Sequence, residues 1–251
     1  MNRMLRFGVR ATASVIMMSA HAFAAEPVPA PKPLAGQTVT GKATASPLPK
    51  PKPGQTPDAD NSPAKKSASC DLSGVDFESI PPVRGEFSGD AGCGIESPVR
   101  LTGIRRESST VVLKGSVTVS CQFAKTLSQW LQDDVLPVAE KHFDGGIKSI
   151  ATGPGYQCRR RNNQPDGKLS EHALGKAVDI SGFSMHEGAS VSVETDWGKD
   201  TPQGRFLKDI HESACARFTT VLSPEGDEFH KSHLHVDIGC HGKSCTYLIC
   251  Q

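Results

Sequence analysis

Two stretches about sixty residues apart, Ser170-Glu171-His172-Ala173-Leu174-Gly175-Lys176-Ala177-Val178-Asp179 and His233-Leu234-His235-Val236-Asp237, carry imidazoles and carboxylates of the kind that hold a catalytic zinc ion. Two imidazole nitrogens and one carboxylate oxygen make three protein ligands and leave a fourth tetrahedral position for water. Zinc lowers the pKa of such a water from about 15.7 to about 7 and polarises a carbonyl, so amide hydrolysis becomes feasible near neutral pH. Spacing alone leaves open which of His233 and His235 is the ligand; the other is placed to accept or stabilise the proton in transfer.

Those side chains need elements to hold them. On a strand, alternate residues face opposite sides, so His233, His235 and Asp237 share one face while Leu234, Val236 and Ile238 share the other. The same alternation buries Val178 and Ile180 and turns Asp179 away, between the small residues Ala177 and Ser181, which leave room for a metal and a substrate. Gly175 permits the tight backbone that would bring His172 and Asp179 towards one centre. Apolar residues at Phe123, Leu127, Trp130 and Leu131 predict a helix capped by Ser120 and kinked or ended by Pro137. A second helix is predicted through Phe206, Leu207, Ile210, Ala214 and Phe218. Short runs at 147–151, 177–183, 191–193 and 234–238 alternate in the strand manner. The predicted fold class is α+β, a small, mostly antiparallel sheet with flanking helices.

The chain divides into three compositional regions. Residues 1–24 carry Arg3, Arg6 and Arg10, a short apolar run and the small-x-small ending Ala22-Phe23-Ala24, which together read as a secretory signal. The run is shorter than the roughly 20 residues that span a bilayer, so no transmembrane anchor is expected, unless a retained leader acts as one. Residues 25–69 hold ten of the 18 prolines and cannot bury a core; they read as a disordered, semi-rigid linker. Residues 70–251 are mixed in texture and suit one domain, expected to be monomeric. All eight cysteines lie there without a Cys-x-x-Cys pair, which in an exported chain argues for a disulfide-braced domain. The chain's net charge is +1; leader and linker together contribute an excess of six positive charges, which leaves the domain at −5 and excludes a nucleic-acid footprint.

The pattern Ser-x-His-x-x-Gly-x-Ala-x-Asp followed by His-x-His resembles the zinc metallopeptidase superfamily of D-alanyl-D-alanine carboxypeptidases, lysostaphin-type endopeptidases and the hedgehog signalling domain. Within it, Gly155-Tyr156-Gln157-Cys158-Arg159, Leu169–Ala173, Ala177–Ile180 and His230–Asp237 look most like the bacterial extensin-like C-terminal domain family. The resemblance covers Cys70 to about Gly239 and leaves the tail Cys240 to Cys250 unmatched. It implies a hedgehog/D-Ala-D-Ala peptidase-like fold in which His172, Asp179 and His235 bind Zn2+ and His233 is the catalytic-side histidine. It further implies that Arg159 polarises the substrate carbonyl or binds a peptide carboxylate, and that Ser170 orients the site through a hydrogen bond. Several relatives place a glutamate three residues before the last ligand as general base; here that position is Ser232, with Glu228 and Asp237 the nearest carboxylates in sequence.

The implied activity is a zinc-dependent peptidase that hydrolyses peptidoglycan stem peptides or cross-links in the periplasm or cell wall. The rival from another class is a non-catalytic, zinc-containing wall-binding module, a use the hedgehog precedent allows and the missing glutamate favours. Other histidines, His142, His186, His211, His230 and His241, read as surface or packing residues, with His230 near enough to line the cleft. Arg159 sits in the run Arg159-Arg160-Arg161, whose default reading is a solvated turn, so its role rests on the resemblance.

Overall fold

Val111, Leu113, Val117 and Val119 are all buried while their even-numbered neighbours Val112 and Lys114 point outward, so residues 109–120 form a long strand with one core face. This strand and its neighbours were assembled in a computed structural model that describes residues 70–85, 92–106 and 109–251. The signal (1–24) and linker (25–69) assignments lie outside the described residues.

The strands are β1 (Val75–Ser79), β2 (Val83–Arg84), β3 (Gly94–Ile95), β4 (Pro98–Arg106), β5 (Ser109–Ser120), β6 (Ile147–Thr152), β7 (Ala177–Met185), β8 (Ser190–Ser192), β9 (Thr220–Leu222), β10 (Leu234–Asp237) and β11 (Ile249–Cys250). Nine of them form one sheet in the order β1-β4-β5-β6-β7-β10-β9-β11, with β8 also paired to β7, while β2 and β3 pair separately. Only β5–β6 and β9–β11 are parallel. The expected mixed α+β class and mostly antiparallel sheet are therefore present, but the sheet is not small. Residues 75–120 supply three of its strands, β1, β4 and β5, that the short runs between the helices did not include.

Helices α1 (Cys121–Trp130), α2 (Leu136–His142), α3 (Val193–Asp196) and α4 (Pro202–Cys215) complete the domain. Ser120 caps α1 as its side chain accepts from Phe123 N–H. Trp130 is fully buried, donates its ring N–H to Ser213 Oγ at 2.9 Å and meets Phe218 edge-on at 5.4 Å, which locks α1 to α4. Pro137 neither ends nor breaks the helical run. A π-helical turn, Leu131–Val135, precedes it, and Leu136 N–H reaches Leu131 O instead. A proline has no N–H to place in the regular ladder, so the widened turn absorbs the missing bond.

The core face of the sheet includes Val178 and Ile180 of β7 and Leu234 and Val236 of β10, packed with Phe206, Leu207 and Ile210 of α4. The alternate residues of β7 and β10 turn to the other side. All eight cysteines pair, Cys70–Cys121, Cys93–Cys158, Cys215–Cys250 and Cys240–Cys245. Four disulfides fit an exported protein. Among the described residues no helix is long and apolar enough to cross a membrane.

Gly175 ends the 3-10 turn Glu171–Leu174 in the left-handed region, φ 62°, and its N–H donates to His172 O. A Cβ there would stand 2.1 Å from Ile95 Cδ1 and 2.9 Å from Ser120 N. Gly175→Ala is therefore expected to destabilise the domain by about 2–4 kcal/mol, the sum of the left-handed penalty and overpacking. Urea denaturation measures it, and a change below about 0.5 kcal/mol would mean the turn adapts freely.

Candidate metal centre

Antiparallel pairing sets His235 of β10 directly opposite Asp179 of β7 on the face away from the core. His235 Nδ1 lies 2.9 Å from Asp179 Oδ1. The turn capped by Ser170, whose Oγ accepts from His172 N–H, brings the third group in from the preceding segment. His172 Nε2 stands 3.2 Å from Asp179 Oδ1 and 3.3 Å from His235 Nδ1. Both rings are buried, and Asp179 is half-buried at the floor of a cleft of about 480 Å³.

This triangle fits a zinc ion. Donors about 2.0–2.1 Å from tetrahedral zinc stand about 3.3 Å from one another, close to the three separations found. The ring nitrogens are also committed correctly. Gly155 O can only accept, so His172 Nδ1, 2.7 Å away, carries the hydrogen and Nε2 keeps its lone pair for a ligand bond. His235 Nε2 donates to Asp237 Oδ2 at 3.0 Å, which leaves Nδ1 facing the centre. Asp237 is in turn fixed by Gly239 N–H at 2.7 Å and by the Thr219 hydroxyl at 3.3 Å. Such outer partners orient a metal-binding imidazole and raise its basicity.

Three other candidates fall around the triangle. His233 precedes β10 and turns Nε2 to within 3.6 Å of Asp179 Oδ1. Arg159 lines the cleft, with Nε donating to Gln157 Oε1 at 3.0 Å. Ser170 lines it too, through its cap on the ligand turn. Of the carboxylates considered as a base, Glu228 is exposed and does not line the cleft, and Asp237 is engaged by His235.

His230, expected near the cleft, does line it: it is buried, its Nδ1 donates to Asp227 Oδ1 at 2.6 Å, and its ring lies 5.2 Å from that of His233. His241, read from sequence as surface or packing, lines the cleft and sits 2.6 Å from Thr220 Oγ1. Nothing local flags Gly155, whose role depends on a loop meeting a distant turn. A second group of possible ligands, His211, Cys215 and Cys250, is closed to metal because its two sulfurs are bonded to each other.

The family model described as the extensin-like protein C-terminus matches residues 68–251. The chain belongs to that family. No curated protein and no solved structure matches it. The match runs through the tail after Gly239, so the segment Cys240–Gln251 is part of the extensin-like domain and not an appendage to it.

The electrostatics follow from crowding. Burial pushes the Asp179 carboxyl up, but hydrogen bonds and positive charge from His172 and His235 outweigh it and hold it well below the usual carboxylate range. Burial pushes His235 down, yet hydrogen bonds to Asp179 and Asp237 win and raise it to about 9. Burial lowers the His233 pKa below its usual value, helped by the charges of His230, His235 and His172 and opposed by Asp179, which favours the neutral ring near pH 7.

Two outcomes follow for the extensin-like domain. Without metal, the raised His235 contributes stability that is complete below its unfolded value of 6.5 and is lost as pH rises through about 9. Denaturation of chelator-treated protein should therefore show a loss of a few kcal/mol between pH 6 and 10, and a flat profile there would refute the buried ion pair. Asp237→Asn, which keeps all three ligands, is expected to weaken zinc binding about 10- to 100-fold in chelator competition.

Proposed function

We propose that this chain is an exported zinc peptidase that acts in the periplasm or cell wall on peptidoglycan stem peptides or cross-links. The observation that supports it most directly is a three-donor triangle of tetrahedral dimensions, His172, Asp179 and His235, lining a cleft of about 480 Å³. Zinc bound there would supply the acidity that activates a water and the polarisation of the amide carbonyl.

The chain's own residues would do the rest. Arg159, oriented by Gln157, offers guanidinium N–H groups to the carbonyl oxygen or to a nearby carboxylate. His233 is neutral near pH 7 and can take a proton at Nε2, the nitrogen turned towards Asp179, then return it to the departing amine. His230 offers a second imidazole on the same wall, with Asp227 holding its Nδ1–H and leaving Nε2 as acceptor. The pair stands in for the glutamate that Ser232 replaces.

That replacement is also what favours the second reading, a zinc-containing wall-binding module without turnover. Digestion of purified sacculi with the zinc-loaded protein separates the two. Cleavage is expected to release new muropeptides, to vanish in His235→Ala, and to fall about 100-fold or more in kcat for His233→Ala. Stoichiometric zinc and wall binding with no new product would establish the module, and absence of stoichiometric zinc after purification would sink both.

A further inference from the structure

Among the described residues only four large hydrophobic side chains are strongly exposed, and two of them line the cleft. Val112 lies on β5. Phe229, 47% exposed, belongs to the turn before β10, and Tyr247, 66% exposed, belongs to the C-terminal tail with Leu248 beside it. Phe229 and Tyr247 both line the cleft above the histidine and aspartate centre. Exposed apolar rings gathered at the mouth of an otherwise polar cleft mark a ligand contact more often than a structural one.

The tail is built to hold its ring in place. Cys215–Cys250 ties its end to α4, and Cys240–Cys245 closes the loop that starts it. Ile249 N–H and Gln251 N–H donate to Thr219 O and Val221 O along β9, and Ser223 N–H donates to Gln251 O. Tyr247, Ile249 and Gln251, every second residue, face the cleft. Bracing of this kind removes the ordering cost that a free tail would impose on binding. Tyr247 itself contributes nothing visible to the fold. Its ring is exposed, and its hydroxyl has no hydrogen-bond partner among the described residues.

We infer that the tail Cys240–Gln251 is the specificity wall of the cleft, and that Tyr247 and Phe229 grip an uncharged, apolar-faced group of the substrate beside the amide. This deepens the peptidase reading and rests on it for the identity of the polymer. The chemistry fits two parts of the same polymer, the methyl-bearing residues of a stem peptide and the ring face of the attached sugar.

Both sources can be presented to the full zinc-loaded chain, as disaccharide-bearing muropeptides and as free stem peptides cut from them. Calorimetric affinity is read for the wild type, Tyr247→Ala, Phe229→Ala and the conservative Tyr247→Phe. Each alanine variant is expected to bind about tenfold more weakly, with Tyr247→Phe near wild type and with zinc content and melting temperature unchanged. Weakening for both fragments assigns the grip to the peptide; weakening for the glycan-bearing fragment alone assigns it to the sugar. Equal affinity of wild type and alanine variants, or no binding of either fragment by the wild type, overturns the wall. Hydrolysis is scored separately from released products, so a protein that binds through Tyr247 but cuts nothing refutes only the peptidase.

Discussion

The pairing of β10 with β7 is the constraint on which the centre depends. Its register puts His235 against Asp179 and, at the same time, Val236 against Val178 and Leu234 against Ile180. Core and centre are therefore specified by one set of backbone hydrogen bonds. A slip of one residue would bury the imidazole and expose the valines, so the hydrophobic face protects the register of the polar one. His172 is the exception, since it reaches the triangle from a turn outside the sheet. That explains why the turn has a serine cap, a left-handed glycine and a carbonyl, Gly155 O, gripping the ring from behind.

Polar groups in this position conflict with burial unless their charges balance. His235 is flanked by two carboxylates, Asp179 and Asp237, and in its protonated form the three together carry one net negative charge. A dication coordinated by a neutral His235 would bring the same set to zero. The second carboxylate would thus both position His235 as a ligand and supply the charge that suits the site to a divalent ion. The same arithmetic accounts for the high proton affinity of His235, since a proton takes the place at Nδ1 that a metal would occupy.

Much of this was legible in residue order because it is local. Alternation over 177–181 and 234–238 identified the faces, and Gly175 marked the tight backbone between His172 and Asp179. What escaped is what depends on distance or on interrupted periodicity. The strand β5 keeps Val111, Leu113, Val117 and Val119 buried although its pairing with β4 is interrupted between Val112 and Val117, where Gly115 and Ser116, the latter at φ 48°, form an irregularity. Glycine and serine at that point read as a break. Asp237 was visible as a carboxylate but not as the partner of His235, because the contact requires both side chains to lean together on one strand face. Pro137, expected to kink or end the helix, does not end it, and the regular ladder is interrupted by a π-helical turn just before it, a form that a rule about regular helices does not specify.

Beside the nine-residue β7, the strands at the centre are short, with three residues in β9, four in β10 and two in β11. Segments so brief supply few ladder bonds and little buried area, and β11 ends the sheet with no strand beyond it. The Cys215–Cys250 bridge closes a loop of 35 residues around them, a restriction of the unfolded chain worth about 4 kcal/mol in the loop-entropy account. The bridge thus adds to the core packing of Val221, Leu234 and Val236 on the opposite face of these short strands. The cleft face can therefore stay polar, because the apolar side chains on the other face of β9 and β10, together with the bridge, carry the packing.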